Sequence, residues 1–235
     1  MPSKSVTIST RTLADVPALA RLSPDTLEHL AQQAIIVSRH KGEVFYRQGD
    51  PPSGLFALQE GRVKLYRQSR ERVQILALLI PGECFGATSL PDDSPCPCSA
   101  EAVTPATAIY VPPEALRCLF ETHPDLMITL LEMISNQLRQ LAALVHDLAF
   151  RDVSARLARV LLARAHAEGE VTAEGLRIER VLSQQELAAM VGTAREVIYR
   201  AIRDFEQAGL LRQTRTEILI LNPAALAAIA EREVR

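Results

Sequence analysis

The chain has 235 residues, 48% of them hydrophobic, no Trp and a formal net charge of −2. That is enough for one large or two small domains with cores of Leu, Ile, Val and Ala, and no overall basicity marks it for nucleic acid. No apolar run reaches the ~18 residues of a membrane span. The amino terminus, MPSKSVTIST, lacks the apolar core of a signal peptide. A membrane role is therefore not expected, and the cytoplasm is, where the four cysteines should be reduced thiols. Charge is unevenly spread: residues 151–235 carry 13 Arg, no Lys and 12 acidic residues, leaving +1 there against −3 for residues 1–150. Cationic charge carried by Arg alone suits forked contacts to phosphate and base edges.

In chain order, residues 12–34 read as helical, with Leu19, Leu22, Leu27 and Leu30 on a loose apolar stripe and Ser23-Pro24 opening a second helix. From Ile35 to about Val111 the texture changes to short apolar or alternating runs, VFYR, GLFALQ, RVKLY, VQILALLI and ATAIYV. Gly and Pro punctuate them, as in a compact β sandwich or barrel. Gly61, between LFALQE and RVKLYR, predicts a hairpin turn. Pro112-Pro113 closes the strands, Glu114–Glu121 reads as a short helix and His123-Pro124 opens a long one. Along it Met127, Leu131, Ile134, Leu138, Leu141, Val145 and Leu148 alternate spacings of 4 and 3, a heptad seam that predicts a parallel helix–helix dimer. Leu130 and Leu144 supply a second stripe; a core helix inside a monomer is the alternative. Residues 151–165 continue as helix, and Glu168–Ile178 as a loop or hairpin. After Gly209, LLRQTR and TEILIL look like two strands turning near Arg215, before Asn222-Pro223 caps a last helix.

Between them lies the most informative segment, SQQELAAMVGTAREVIYRAIRDFEQAGL, residues 183–210. Ser183 with Glu186, and Thr193 with Glu196, have capping-box spacing for two helices. Leu187, Val191 and Ile198 would pack the pair, and Gly192 sits where a positive φ is needed. The second helix projects Arg195, Glu196, Tyr199, Arg200 and Arg203. Arg can hold both acceptors of a guanine edge and Glu can accept from cytosine, so the pattern fits a helix-turn-helix reading the major groove. An amphipathic helical hairpin with a charged face is the alternative.

These parts in this order resemble the family of the cyclic-AMP receptor protein and the fumarate-nitrate regulator, bacterial transcription regulators. KGEVFYRQGDPPSGLFALQEGRVKLY resembles the family's β-roll, LAFRDVSARLARVLL its hinge and LSQQELAAMVGTAREVIYRAIRDFEQAGLL its helix-turn-helix. The resemblance implies an α+β chain. Residues 1–122 would be a cyclic-nucleotide-type β-roll (jelly roll) sensor with N-terminal helices. Residues 123–150 would be a dimerisation helix and hinge, and 151–235 a winged helix-turn-helix. It implies a homodimer on palindromic double-stranded DNA, with RNA polymerase as a further partner. Arg195, Glu196 and Arg200 fall at the family's readers of a TGTGA-like half-site, and Tyr199 stands at a non-standard flanking position. Ser183, Thr193, Arg203, Arg212 and Arg215 are the expected phosphate contacts.

The sequence departs from the family at the effector site. Aligned on Gly86 and SPCPCSAEA, the ribose-holding glutamate is Ala87, the phosphate-holding arginine is Cys98, and Ser99 matches the serine. The adenine positions on the long helix are Leu141 and Ala142. An anionic nucleotide would meet an apolar pocket without its counter-charge, so cyclic AMP is rejected as effector. No cofactor is expected from these residues. Cys96-Pro97-Cys98 leaves a thiol redox switch, a metal or a haem as alternatives, while Cys84 and Cys118 read as inert core thiols. The alternative function is a sensor or regulatory subunit whose signal is another small ligand or one of those three. No cysteine precedes Cys84, so the family's iron–sulfur cluster of cysteines before the β-roll is not supported. The five histidines show no paired ligand spacing, with His146, near the hinge, the one of interest. No P-loop, nucleophile elbow or catalytic carboxylate pair is present, so no enzyme is expected.

Overall fold

A computed structural model describes residues 8–70 and 72–233. They form two compact units, residues 8–67 with 76–140, and residues 68–70 and 72–75 with 141–233.

In the first unit, α1 (Thr10–Ala14) and α2 (Pro24–Gln33) are two helices, as Ser23-Pro24 leads one to expect, but the first is short and residues 15–22 form turns where helix was expected. Pro17 disfavours helical backbone before it, and α1 stops. Leu19 and Leu22 are nevertheless buried, in turns rather than on a helical stripe. The Ser23 side chain accepts from the Thr26 N–H and Pro24 occupies the first turn, so α2 starts where the sequence places it.

Eight strands follow: β1 (Ile35–Arg39), β2 (Val44–Tyr46), β3 (Leu55–Glu60), β4 (Val63–Ser69), β5 (Arg72–Leu79), β6 (Cys84–Phe85), β7 (Ser99–Ala102) and β8 (Ala106–Val111). They pair as two four-stranded sheets, β1-β8-β3-β6 and β2-β7-β4-β5. β3 shows no alternation: Leu55, Phe56, Ala57 and Leu58 are all buried. One face looks into the roll, where Phe56 and Phe85 stack at 5.0 Å. The other meets a core built from α1, α2, α3 (Pro113–Phe120) and the start of α4 (Pro124–Phe150).

The hairpin expected at Gly61 does not form. Gly61 turns at φ 84°, but β3 and β4 lie in different sheets. A Cβ at Gly61 would sit 2.2 Å from the Pro105 carbonyl oxygen, and Arg62 N donates to Thr104 Oγ1 at 2.9 Å. Packing against residues 104–106 makes this a corner between sheets, which local turn chemistry alone does not reveal.

In the second unit, α5 (Val153–Glu168) precedes the hairpin β9 (Glu170–Thr172) and β10 (Gly175–Glu179). Then come α6 (Gln184–Val191), α7 (Arg195–Gln207), β11 (Leu211–Gln213), β12 (Glu217–Ile220) and α8 (Pro223–Ala230). The strands form one sheet in the order β11-β12-β10-β9. Leu157, Leu161, Ile178, Ile198 and Leu226 form its interior. A buried charge network holds the segments around α5. Arg151 Nε donates to Asp147 Oδ1 at 2.9 Å, its NH1 donates to the Ala230 carbonyl at 2.5 Å, and Arg159 Nε donates to Asp147 Oδ2 at 2.9 Å. Glu231 lies 3.7 Å from Arg151 and 3.5 Å from Arg159.

Candidate nucleic-acid interface

The helix-turn-helix begins with a complete capping box. Glu186 N donates to Ser183 Oγ at 3.2 Å, and Ser183 N donates to Glu186 Oε2 at 3.0 Å. Gly192 ends α6 at φ 75° and ψ 46°, the left-handed conformation its position demands. The second capping box does not form. The N–H groups of both Gly192 and Thr193 donate to the Ala188 carbonyl, so the Thr193 N–H closes α6 and is not offered to the Glu196 carboxylate. The N-cap of α7 is Ala194, which has no side-chain capping bond. Glu196 is therefore not held as a cap partner.

At ~100° per residue, Arg195, Glu196, Tyr199, Arg200 and Arg203 fall within an arc of about 140° on α7. All five are exposed, while Ile198, Ala201, Ile202 and Phe205 are buried on the opposite side. Among the described residues, Arg195, Glu196, Arg200, Arg203 and Arg215 have no intramolecular ion pair or side-chain hydrogen bond. Charged donors and acceptors held on a rigid helix with nothing to satisfy them but water are equipped to exchange that water for base edges and phosphates.

The expected phosphate contacts differ in availability. Arg215 is exposed in the β11–β12 turn, which Thr214 organises by accepting from Glu217 N at 3.1 Å. Arg212 is not free: it is paired with Glu174, in the turn between β9 and β10. Ser183 Oγ is occupied in its cap, 2.8 Å from Glu186 Oε2. A residue absent from the sequence reading is Arg180, whose NH1 donates to the Thr214 carbonyl at 3.1 Å, linking the entry to α6 with the turn of the wing. Its signal in the sequence was a lone basic residue shortly before a helix cap.

The seam residues are placed as a stripe without cover along α4. Leu131, Leu138 and Val145 are 65%, 66% and 65% exposed, and Met127, Leu141 and Leu148 are exposed as well; Ile134 is half-buried. Leu130 points the other way, into the core.

In the first unit a cavity of about 670 Å³ is lined by Leu65, Ala77, Leu79, Phe85 and Ala87 from the roll, and by Thr129, Met133 and Gln137 from α4. Of the residues aligned with the nucleotide site, Ala87 lines it. Arg21, Arg139, Glu83 and Glu132 also reach its lining. Arg21 faces Glu132 at 3.6 Å, Arg139 bonds Asn136, and Glu83 accepts from Ile80 N at 2.7 Å. Burial raises the Glu83 pKa. Of the other residues aligned with the nucleotide site, Gly86 turns at φ 95° and Ser99 Oγ accepts from Gln48 N at 2.9 Å. Cys98 is buried in the core of the roll beside Tyr46.

The thiols sit in apolar surroundings. Burial first, and the neighbouring Cys96 second, push Cys98 up to about 11. Burial pushes Cys84 up to about 12, and Cys96 Sγ donates to the Pro51 carbonyl at 3.2 Å. Cys118 is exposed rather than in the core.

A roll of this kind, a long helix and a winged helix-turn-helix define a sensor joined to a DNA-binding domain. Residues 36–123 match the model of the cyclic nucleotide-binding domain, and residues 155–229 that of the Crp-like helix-turn-helix domain. The chain is 30% identical over 207 residues to a "CRP-like cAMP-activated global transcriptional regulator" of Mycobacterium tuberculosis, covering 88% of this chain and 92% of that protein. It is 30% identical over 194 residues to "Transcriptional activator protein anr" of Pseudomonas aeruginosa, covering 81% and 78%. FixK2 from Bradyrhizobium japonicum shares the fold, with a TM-score of 0.76 at 21% identity over 86% of this chain and 99% of that one. The chain belongs to the Crp/Fnr family of transcription regulators and carries its helix-turn-helix DNA-binding domain. This is a family of regulators, not of enzymes. Among the described residues no helix is long and apolar enough to cross a membrane.

Proposed function

We propose that the protein acts as a homodimer that reads a TGTGA-like palindrome and does so without cyclic AMP. The observation that carries the reading is the single exposed face of α7, where Arg195, Glu196 and Arg200 stand unpaired. The exposed leucines and valine along α4 support the dimer, because covering apolar surface yields roughly 25 cal/mol per Å². A two-fold pair of recognition helices matches a palindrome with half-sites about 34 Å apart. RNA polymerase is the further partner, met through the β9–β10 hairpin, where Val171 is 86% exposed. The site of action is the cytoplasm.

Independence from cyclic AMP rests on Ala87 and Cys98 and on the charges at the cavity. The lining carries two arginines and two glutamates, Arg21 already paired with Glu132, so it offers a nucleotide phosphate no net counter-charge. The 670 Å³ cavity favours a second reading, in which another small ligand is the signal. Selection from a random DNA pool, followed by anisotropy titrations with and without cyclic AMP, tests both claims. The expected result is a two-fold TGTGA-like site bound equally tightly in both conditions. A selected pool without a palindrome refutes the half-site, and tightening by micromolar cyclic AMP refutes the independence.

A further inference from the structure

Folding brings His123 to a pair, Asp25 and His29, that helical spacing already places side by side. Asp25 and His29 lie four residues apart on α2, and His123 sits in the turn that opens α4. One ligand atom from each lies within 4.8 Å of the other two. We propose that Asp25, His29 and His123 bind one divalent first-row transition cation of the Zn²⁺ class, independently of the DNA-reading face.

The donor set selects the ion. Two imidazoles and one carboxylate suit zinc and its neighbours, whereas magnesium and calcium take oxygen ligands. The scaffold is partly assembled. His123 is buried, with Nε2 3.2 Å from Asp25 Oδ2 and Nδ1 2.7 Å from Thr122 Oγ1. His29 Nδ1 lies 2.9 Å from the Asp25 backbone oxygen, which can only accept. That nitrogen therefore carries the proton, and in the neutral ring the lone pair is left on Nε2. The two rings lie 4.9 Å apart, tilted by 58°. Asp125 binds the two helix starts together, accepting from Ser23 N at 2.8 Å and from Thr26 Oγ1 at 2.9 Å, so it is a brace and not a ligand.

Tetrahedral zinc with bonds of ~2.0–2.1 Å places its ligand atoms about 3.4 Å apart. The Asp25–His123 pair already stands at 3.2 Å. The wider separations close by rotation of Asp25 and His29, whose side chains are 73% and 47% exposed, while buried His123 stays fixed. Water completes the shell. The ion displaces the proton shared between His123 Nε2 and Asp25. The Thr122 hydroxyl can then accept from His123 Nδ1–H, with the Leu119 carbonyl 3.5 Å away to receive its own proton. A bound ion would cross-link α2 to the turn between α3 and α4.

The test uses the full chain, stripped with EDTA and titrated with Zn²⁺ against a chromophoric chelator, and with Co²⁺ followed by absorption. The expected result is one ion per chain, visible cobalt d–d bands without a thiolate charge-transfer band, and a rise in melting temperature that EDTA reverses. D25N and H29A, both at exposed side chains, should each weaken Zn²⁺ at least as much as the ~10–100-fold that loss of a supporting group costs. No binding at micromolar Zn²⁺, or affinity unchanged in both variants, or a thiolate band, overturns the proposal.

Discussion

Replacing Gly192 with Ala tests whether the turn between α6 and α7 sets the recognition helix. An L-residue in the left-handed region costs ~1–2 kcal/mol, and Gly192 sits at φ 75°. The new methyl would also begin 2.6 Å from Leu148 Cδ2 and 3.1 Å from Gln74 Oε1. Both neighbours are ends of flexible side chains and can move. Gln74, however, donates from Nε2 to the Met190 carbonyl at 3.2 Å, and loosening that bond forfeits about 0.5–1.5 kcal/mol. The expected total is ~2–3 kcal/mol. With a urea slope of ~1–3 kcal/mol per M, the midpoint should fall by about 1 M. The comparison must be made at one protomer concentration, since association contributes to stability. In a Gln74→Ala background the hydrogen-bond part is already gone, so Gly192→Ala should there cost only the backbone part, ~1–2 kcal/mol. DNA affinity should fall with the single substitution, because the angle between the helices is disturbed. A midpoint within ~0.2 M of the wild type would refute the reasoning.

Arg200→Ala should cost roughly 1–3 kcal/mol in DNA binding and relax choice at one base pair, read from competition with single-base variants of the selected site. Arg215→Ala should weaken all sequences alike and lower the salt slope by about one, whereas Arg212→Ala should change that slope less because Glu174 already holds Arg212. Leu138→Asp with Leu141→Asp should give monomers by light scattering; a wild type that is monomeric at micromolar concentration yet binds a palindrome tightly removes the basis for the seam. Alkylation of the native protein at about pH 8, followed by mass spectrometry, should modify Cys118 first. Thiols with pKa values of about 11 for Cys98 and about 12 for Cys84 stay protonated there and become nucleophilic only as the pH nears those values; early loss of Cys98 would contradict its buried environment.

The parts that were legible in the sequence are those fixed by neighbours along the chain. The Ser183–Glu186 cap, the left-handed Gly192, the Asn222-Pro223 helix start and the two strands of the wing each depend on a few consecutive residues. The apolar heptad of α4 needed only periodicity. What was not legible depends on distant residues. Gly61 resembles a hairpin turn until Thr104 and Pro105 pack against it. Arg212 looks like a free wing cation until β9 and β10 bring Glu174 to it. Asp25 and His123 are 98 residues apart, and no spacing rule joins them. The Thr193–Glu196 box failed for a subtler reason: two signals overlapped, and closing α6 took the N–H that the Glu196 carboxylate would have accepted from, leaving Ala194 as the N-cap of α7.

The Arg151 network limits where this chain can be divided. Only Arg151 and Asp152 separate α4 from α5, and that junction looks like a natural place to cut out the DNA-binding half. Yet Asp147, on the last turns of α4, neutralises both Arg151 and Arg159. A fragment beginning at residue 151 would keep Arg151, only 7% exposed at its side chain, and discard the carboxylate nearest to it. Glu231, at 3.7 Å, would stay, but both arginines would lose the hydrogen-bonded carboxylate between them, and each lost charged hydrogen bond costs about 1.5–3 kcal/mol against the ~5–15 kcal/mol that holds a domain folded. A DNA-binding fragment that begins upstream of Asp147 and carries the end of the long helix with it should therefore be more stable than one cut at residue 151.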